Sequence, residues 1–267
     1  MPYTFISGAT GGLGKAFAVE CANRGENLFL TSTKEDKLAL LAQSLIKAYK
    51  VDVKYAACDM AIDTKRDDLI IYLKQDGFTF NKLINTVGYD HEGDFLTQNN
   101  DIIRNLIRVN VESVIDITYS ILNLRTSDKF TIITVSSLAG EFPMPFKALY
   151  SSSKRMLTNF FRAFAHEVKD KNITVTLLSP AAIPTNNEWT KNVEAAGFAG
   201  LLSVKNVGIV AYKTLNKADK GQAVYIPGFI NKVADFFGKL LPVSLMNKII
   251  YNRCKDISEK SKQLPNK

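Results

Sequence analysis

Histidine occurs only twice, as His91 and His166, and cysteine only three times, as the widely spaced Cys21, Cys58 and Cys254. A metal centre built on imidazole and thiolate therefore lacks ligands, and an odd set of distant thiols suits a reducing compartment better than a disulfide framework. No metal is expected. Long apolar runs are also missing, because Lys232, Asp235 and Lys239 interrupt the best candidate well short of the roughly 20 residues that cross a bilayer. No linker-like or low-complexity stretch divides the 267 residues, so one large domain is expected. A first strand from about Tyr3 leaves no room for the basic start and apolar middle of a leader, and a cytoplasmic location is the expectation. The net charge of +8 is uneven. From Phe229 onward eight basic residues face three acidic ones, so this tail supplies +5 of it and the body is close to neutral. Nucleic acid is not an expected partner.

What the chain does have is a regular alternation. Seven short β-branched and aromatic runs (YTFIS, NLFLTS, VKYAA, KLINTV, FTIITVSS, ITVTLLS and AVYIP) are separated by longer segments with helical spacing, over 34–49, 64–75, 101–124 and 150–168. Strands that are apolar almost throughout need cover on both faces, which predicts an α/β fold: a Rossmann-type, doubly wound parallel sheet of about seven strands with helices on both faces. Ligands of such sheets bind beyond the carboxyl ends of the strands.

Directly after the first run, SGATGGLGKAF places Gly8, Gly11, Gly12 and Gly14 within seven residues. Glycines between a strand and a helix let backbone approach an anion that the helix N-terminus then binds. A triphosphate loop requires GxxxxGK followed by Ser or Thr, but Ala9 stands at the first position and Ala16 follows Lys15. The ordinary dinucleotide fingerprint from Gly12 ends on the bulky Phe17. A partial dinucleotide fit and a glycine turn without ligand both remain open on the loop alone.

A second signal is ALYSSSKRML, where Tyr150 and Lys154 lie one helical turn apart on one face. An ammonium beside a phenol favours the phenolate, which would make Tyr150 a proton donor or acceptor near neutral pH. Tyr251 and Lys255 repeat the spacing, but no strand ending in hydroxyls precedes them, whereas FTIITVSS ends in Ser136 and Ser137.

Taken together in order, these motifs resemble the short-chain dehydrogenase/reductase family over roughly residues 3–228. The resemblance implies a catalytic set of Asn110, Ser137, Tyr150 and Lys154. It implies cofactor contacts from Ser7, Gly8, Gly12, Leu13 and Gly14 in the loop, from Asp59 and Met60, from Asn85 and Gly88 in NTVG, from Lys154, and from Pro180, Ile183 and Thr185. The cofactor it implies is a nicotinamide dinucleotide. Strand two ends in Ser32, Thr33 and Lys34 with no acid to bond a ribose 2′-hydroxyl, which favours NADP(H). Departures are Ser7 for threonine, Thr86-Val87 for Asn-Ala and Ala181 for glycine. The implied activity is carbonyl–alcohol interconversion by hydride transfer with tyrosine as general acid and base. Homodimers or homotetramers formed through the helices of Asn110 and Tyr150 are likewise implied.

Between these elements, Tyr89, His91, Phe95, Phe142, Met144, Phe146 and Trp189 offer an apolar lining for a hydrophobic substrate, or merely pack their loops. Residues 184–200 read as a substrate lid or a solvated insertion. The tail over 229–267 reads as a basic amphipathic extension that docks on the body, on a partner subunit or on a membrane surface. The competing function is a non-catalytic dinucleotide-binding or membrane-surface protein on the same scaffold.

Overall fold

The computed structural model describes residues 1–126, 129–181, 206–242 and 244–252. Its strands are β1 (Tyr3–Ser7), β2 (Leu28–Ser32), β3 (Val53–Ala57), β4 (Phe80–Asn85), β5 (Phe130–Val135), β6 (Ile173–Leu178) and β7 (Val224–Tyr225). They form one seven-stranded sheet in the order β3-β2-β1-β4-β5-β6-β7, parallel at every pairing.

Side chains alternate between the two faces and so divide the core. Ile6, Leu28, Leu30, Ile84 and Ile133 meet α1 (Gly12–Asn23), α2 (Glu35–Tyr49) and α7 (Val207–Asp219) on one face. Phe5, Phe29, Phe80, Leu83 and Phe130 meet α3 (Asp63–Gln75), α5 (Ser113–Leu122) and α6 (Ala148–Glu167) on the other. Phe5 packs at 5.6 Å from both Phe29 and Phe80, so one aromatic cluster locks three neighbouring strands on that face.

The chain winds from β1 outward to β3 and then returns to place β4 on the other side of β1. The loops after β1 and β4 therefore part in opposite directions and open a crevice at the switch point. The two strand ends are stitched together below it. The Ser7 hydroxyl donates to Asn85 Oδ1 at 3.3 Å, and Thr86 Oγ1 donates to the Ser7 carbonyl at 2.5 Å. Gly8 turns the chain out of β1 with φ +70, and a Cβ there would lie 3.0 Å from Thr86 Oγ1 and from the Val87 nitrogen. Only glycine suits this position.

The periodic segment 101–124 is not one helix, as its spacing predicts. It forms α4 (Asn100–Ile107), a π-helical turn (Arg108–Glu112) and then α5. The π turn centres on Asn110, whose side chain is wholly buried and bonded to a neighbouring loop. Such single-turn π insertions are frequent at functional sites. After β7, Gly228 with φ 91 redirects the chain into α8 (Phe229–Leu240), and residues 244–252 are helical again.

Candidate active site

Four of the sequence-derived residues converge at the carboxyl ends of β4 and β5. Ser136 and Ser137 follow β5 side by side but do different things. Ser136 is buried, its hydroxyl bonded to the Lys154 carbonyl at 3.0 Å and paired with Thr158 Oγ1 at 2.9 Å, so it fastens the strand to α6. Ser137 instead caps a short 3-10 turn (Leu138–Gly140), its Oγ accepting the Ala139 N–H at 3.1 Å. Its own hydroxyl hydrogen-bonds with the Tyr150 phenol.

Tyr150 stands in the first turn of α6 with two cations over its ring: Lys154 Nζ at 5.8 Å and Lys147 Nζ at 5.7 Å from the centroid. Lys154 is 3% exposed and donates to the Val135 carbonyl at 3.2 Å. Gly88 makes room for it, since a Cβ there would stand 3.3 Å from Nζ. Asn110 closes the back of the site. Its amide donates to the Tyr89 carbonyl at 2.9 Å and to Ser153 Oγ at 3.1 Å, while its oxygen accepts the Tyr89 N–H at 2.6 Å. Ser153 in turn donates to the Tyr150 carbonyl at 2.7 Å. The loop after β4 and the first turn of α6 are thereby held in register.

Electrostatics here correct one expectation. Burial is the largest influence on Tyr150 and pushes its phenol up; the Asp90 carboxylate adds to this, and only a hydrogen bond with Ser137 acts the other way. Lys154 does not pull the phenol below its usual value in this structure. The lysine bears the cost of burial itself, which brings its ammonium down to about 8 against the upward pull of Asp90. Asp90 also pairs with Lys147 at 2.9 Å, with Glu92 at 3.3 Å from the same ammonium. Burial works against the Lys147 charge, but these two carboxylates outweigh it and hold that ammonium above the usual lysine value. Sequence reasoning missed Asp90, Lys147 and Ser153. Lys147 and Ser153 carried a local signal, each three residues from Tyr150, whereas Asp90 carried none.

The other candidates sort by what their side chains do. Gly14 opens α1 against the loop: a Cβ there would lie 2.2 Å from the Gly8 carbonyl oxygen. The loop from Gly8 to Gly14 is thus a backbone cradle at a helix N-terminus whose cap residue, Gly11, supplies no side-chain bond, and it fits a diphosphate. Leu13 and Met60 are core residues, so any ligand contact from them is through backbone. Gly12 is half-buried. Val87 packs into the aromatic core cluster instead of filling the crevice. At the end of β2, Ser32 Oγ lies 2.5 Å from Thr10 Oγ1, while Thr33 and Lys34 are exposed. Asp59 lines an open cleft together with Ile62, Tyr89, Arg104 and Arg108. The Pro180 carbonyl accepts the Leu138 N–H at 2.9 Å, tying the end of β6 to the 3-10 turn. Ile183, Thr185, Trp189 and the 184–200 segment lie outside the described residues.

Among the substrate candidates, Tyr89 and His91 stack with ring centroids 6.3 Å apart at the mouth. Phe146, with φ 64, accepts the Gly93 N–H at 2.8 Å and stacks on Tyr251 at 6.1 Å. Met144 is half-buried beside it, and Phe95 is exposed. Phe142 turns toward the tail, where a Cβ on Gly238 would come within 2.5 Å of its ring. Glu141, with a fully buried side chain, receives Arg155 at 3.2 Å, Arg162 at 3.0 Å and Lys239 at 3.1 Å. This carboxylate, also unforeseen, fastens α8 to α6 directly behind the 3-10 turn.

Residues 3–196 match the family described as short chain dehydrogenase. The chain is 34% identical over 184 residues to the very-long-chain 3-oxoacyl-CoA reductase of Kluyveromyces lactis, covering 66% of this chain and 53% of that protein. It is 31% identical over 204 residues to mouse 17-beta-hydroxysteroid dehydrogenase type 3, covering 72% and 65%. The chain thus spans about half the length of the reductase relatives it matches. Among solved structures, a short-chain dehydrogenase from Sphingobium yanoikuyae in complex with NADPH superposes with a TM-score of 0.75 at 23% identity, over 90% of this chain and 94% of that one. That last likeness is one of fold.

Proposed function

The chain belongs to the short-chain dehydrogenase family, and on that premise we propose that it is an NADP(H)-dependent oxidoreductase interconverting a carbonyl and an alcohol on a hydrophobic substrate. The observation that carries this reading is the convergence of Ser137, Tyr150 and buried Lys154 around one point at the crevice, backed by Asn110. The nicotinamide, when bound, supplies or accepts the hydride. Ser137, whose hydroxyl bonds with Tyr150 here, donates to the substrate oxygen and fixes it when substrate enters. Tyr150, kept protonated by burial and by Asp90, gives its proton to that oxygen as negative charge develops. Lys154 sits where it steadies the charge left on the phenolate and holds the ribose beside it. The cradle of Gly8 and Gly14 binds the diphosphate. The exposed Thr33 and Lys34, with no acid at the end of β2, support a 2′-phosphate. The hydrophobic substrate class is supported by Tyr89, His91 and Phe146 at the mouth and by the named activities of the relatives.

Purified protein is expected to oxidise NADPH with 3-oxoacyl thioesters or steroid ketones and to use NADH less well. Thr33→Asp should reverse that preference by at least about tenfold, through repulsion of a 2′-phosphate. Tight NADPH binding with no turnover on hydrophobic carbonyls would replace this reading with that of a non-catalytic binder. Equal use of both cofactors, unmoved by Thr33→Asp, would remove the NADP(H) part alone.

A pH experiment tests the electrostatics. In alcohol oxidation Tyr150 must act as base, so the rate rises as pH climbs toward its pKa. Asp90 raises that pKa and also supports Lys154, whose ammonium lies at about 8. Asp90→Asn should therefore move the rising limb to lower pH, more so at low salt. An unmoved limb would show that Asp90 does not act on the proton-transfer group.

A further inference from the structure

Helix α8 packs on the body by its polar side. Asn231 and Asp235, 6% and 9% exposed, face inward, and Gly238 abuts Phe142. At a hundred degrees per residue these three fall on one line, and the opposite face carries Phe229, Phe236 and Leu240, with Phe237 and Ile230 beside them. Phe229 is 81%, Phe236 61%, Phe237 59% and Leu240 66% exposed. A helix docked only for packing would be turned the other way round. The outward apolar surface continues through Leu245 and Ile249 in the 244–252 helix, both exposed.

We propose that this face binds the surface of an anionic lipid bilayer. Charge selects that occupant. An open groove beside α8 is lined by Phe229 and by Lys213, Lys217, Lys220 and Lys232, so ammonium groups border the aromatic edge, as at an interface where phenyl rings enter the acyl boundary and lysines meet phosphates. Lys248 and the basic residues after it add charge of the same sign. A second copy is the poorer occupant, because a two-fold contact sets one patch against itself and would bring lysines toward lysines. No described helix is long and apolar enough to cross a membrane, so the contact lies in the interface plane. It does not depend on the proposed chemistry.

The test is flotation of the full chain, without cofactor or substrate, with vesicles of phosphatidylcholine alone or with about one third phosphatidylserine. Binding is expected to the anionic vesicles and to weaken with added salt. The triple variant Phe236→Ser, Phe237→Ser, Leu240→Ser should lose at least about tenfold in partitioning while remaining folded, because all three residues are more than half exposed. Lys213→Gln with Lys217→Gln should lose the preference for phosphatidylserine. Absence of binding to either vesicle, or a triple variant that floats like the parent, would overturn the proposal. A concentration-dependent dimer that the triple variant abolishes, without vesicle binding, would overturn it in favour of a second copy.

Discussion

Tyr150→Phe is expected to fold, to bind NADPH within about twofold of the parent and to lose about 10²–10⁴ in kcat, the range that a positioned general acid contributes. Phenylalanine keeps the ring, so the cation–π contacts of Lys147 and Lys154 at 5.7 and 5.8 Å are retained and the first turn of α6 is not disturbed. Only the hydroxyl goes, and with it the proton that meets the developing alkoxide. The Ser153 hydroxyl donates to the backbone carbonyl of Tyr150, and that bond survives the substitution. Stopped-flow and steady-state NADPH oxidation, with the cofactor affinity read by fluorescence, separate the two effects. A variant that keeps parental turnover would take the acid–base role away from Tyr150 and leave Ser137 and Lys154 without a proton donor between them.

Gly14→Ala is expected to act on binding. The added methyl would stand 2.2 Å from the Gly8 carbonyl oxygen and 2.9 Å from Ala9 Cα, and both are backbone that cannot swing aside. The loop must shift away from α1, which lengthens the hydrogen bonds its N–H groups offer to a diphosphate; with about 1.5–3 kcal/mol in each bond to a charged group, NADPH affinity should fall by at least about tenfold. Thermal stability should drop as well, by about 1–3 kcal/mol, as in other overpacked sites. Titration and melting curves read both. Unchanged affinity in a folded variant would mean that the cradle does not hold the cofactor diphosphate.

The sheet was legible because its strands are buried on both faces and read as unbroken apolar runs; VKYAA, at the edge, is the weakest of them and is also the most exposed. The Tyr150–Lys154 pair was legible because a one-turn spacing is local. The break at Asn110 was not, since apolar periodicity runs straight through 101–124 and the π turn is fixed by bonds to the distant Tyr89 backbone. Ser136 and Ser137 are alike locally, and only the approach of Lys154 and Thr158 to the one and of Tyr150 to the other separates a fastening hydroxyl from one in the site. Asp90 and Glu141 act on residues far along the chain, and no spacing announces such contacts. The tail's amphipathic pattern was visible, but a pattern does not say which side meets the body. Here the polar side does.

Glu141 gives the chain a minimum length. Its carboxylate lies one residue beyond the turn that Ser137 caps, and it is shared by Arg155 and Arg162 of α6 and Lys239 of α8. A protein cut after β7 would still hold every strand of the sheet, but it would lose one of the three cations and the helix that covers Phe142. Deletions, fusions and tags at this end are therefore not neutral decoration. Residues up to Lys239 belong to the smallest piece worth expressing, and a boundary drawn where the sheet stops would cut through the support of the site.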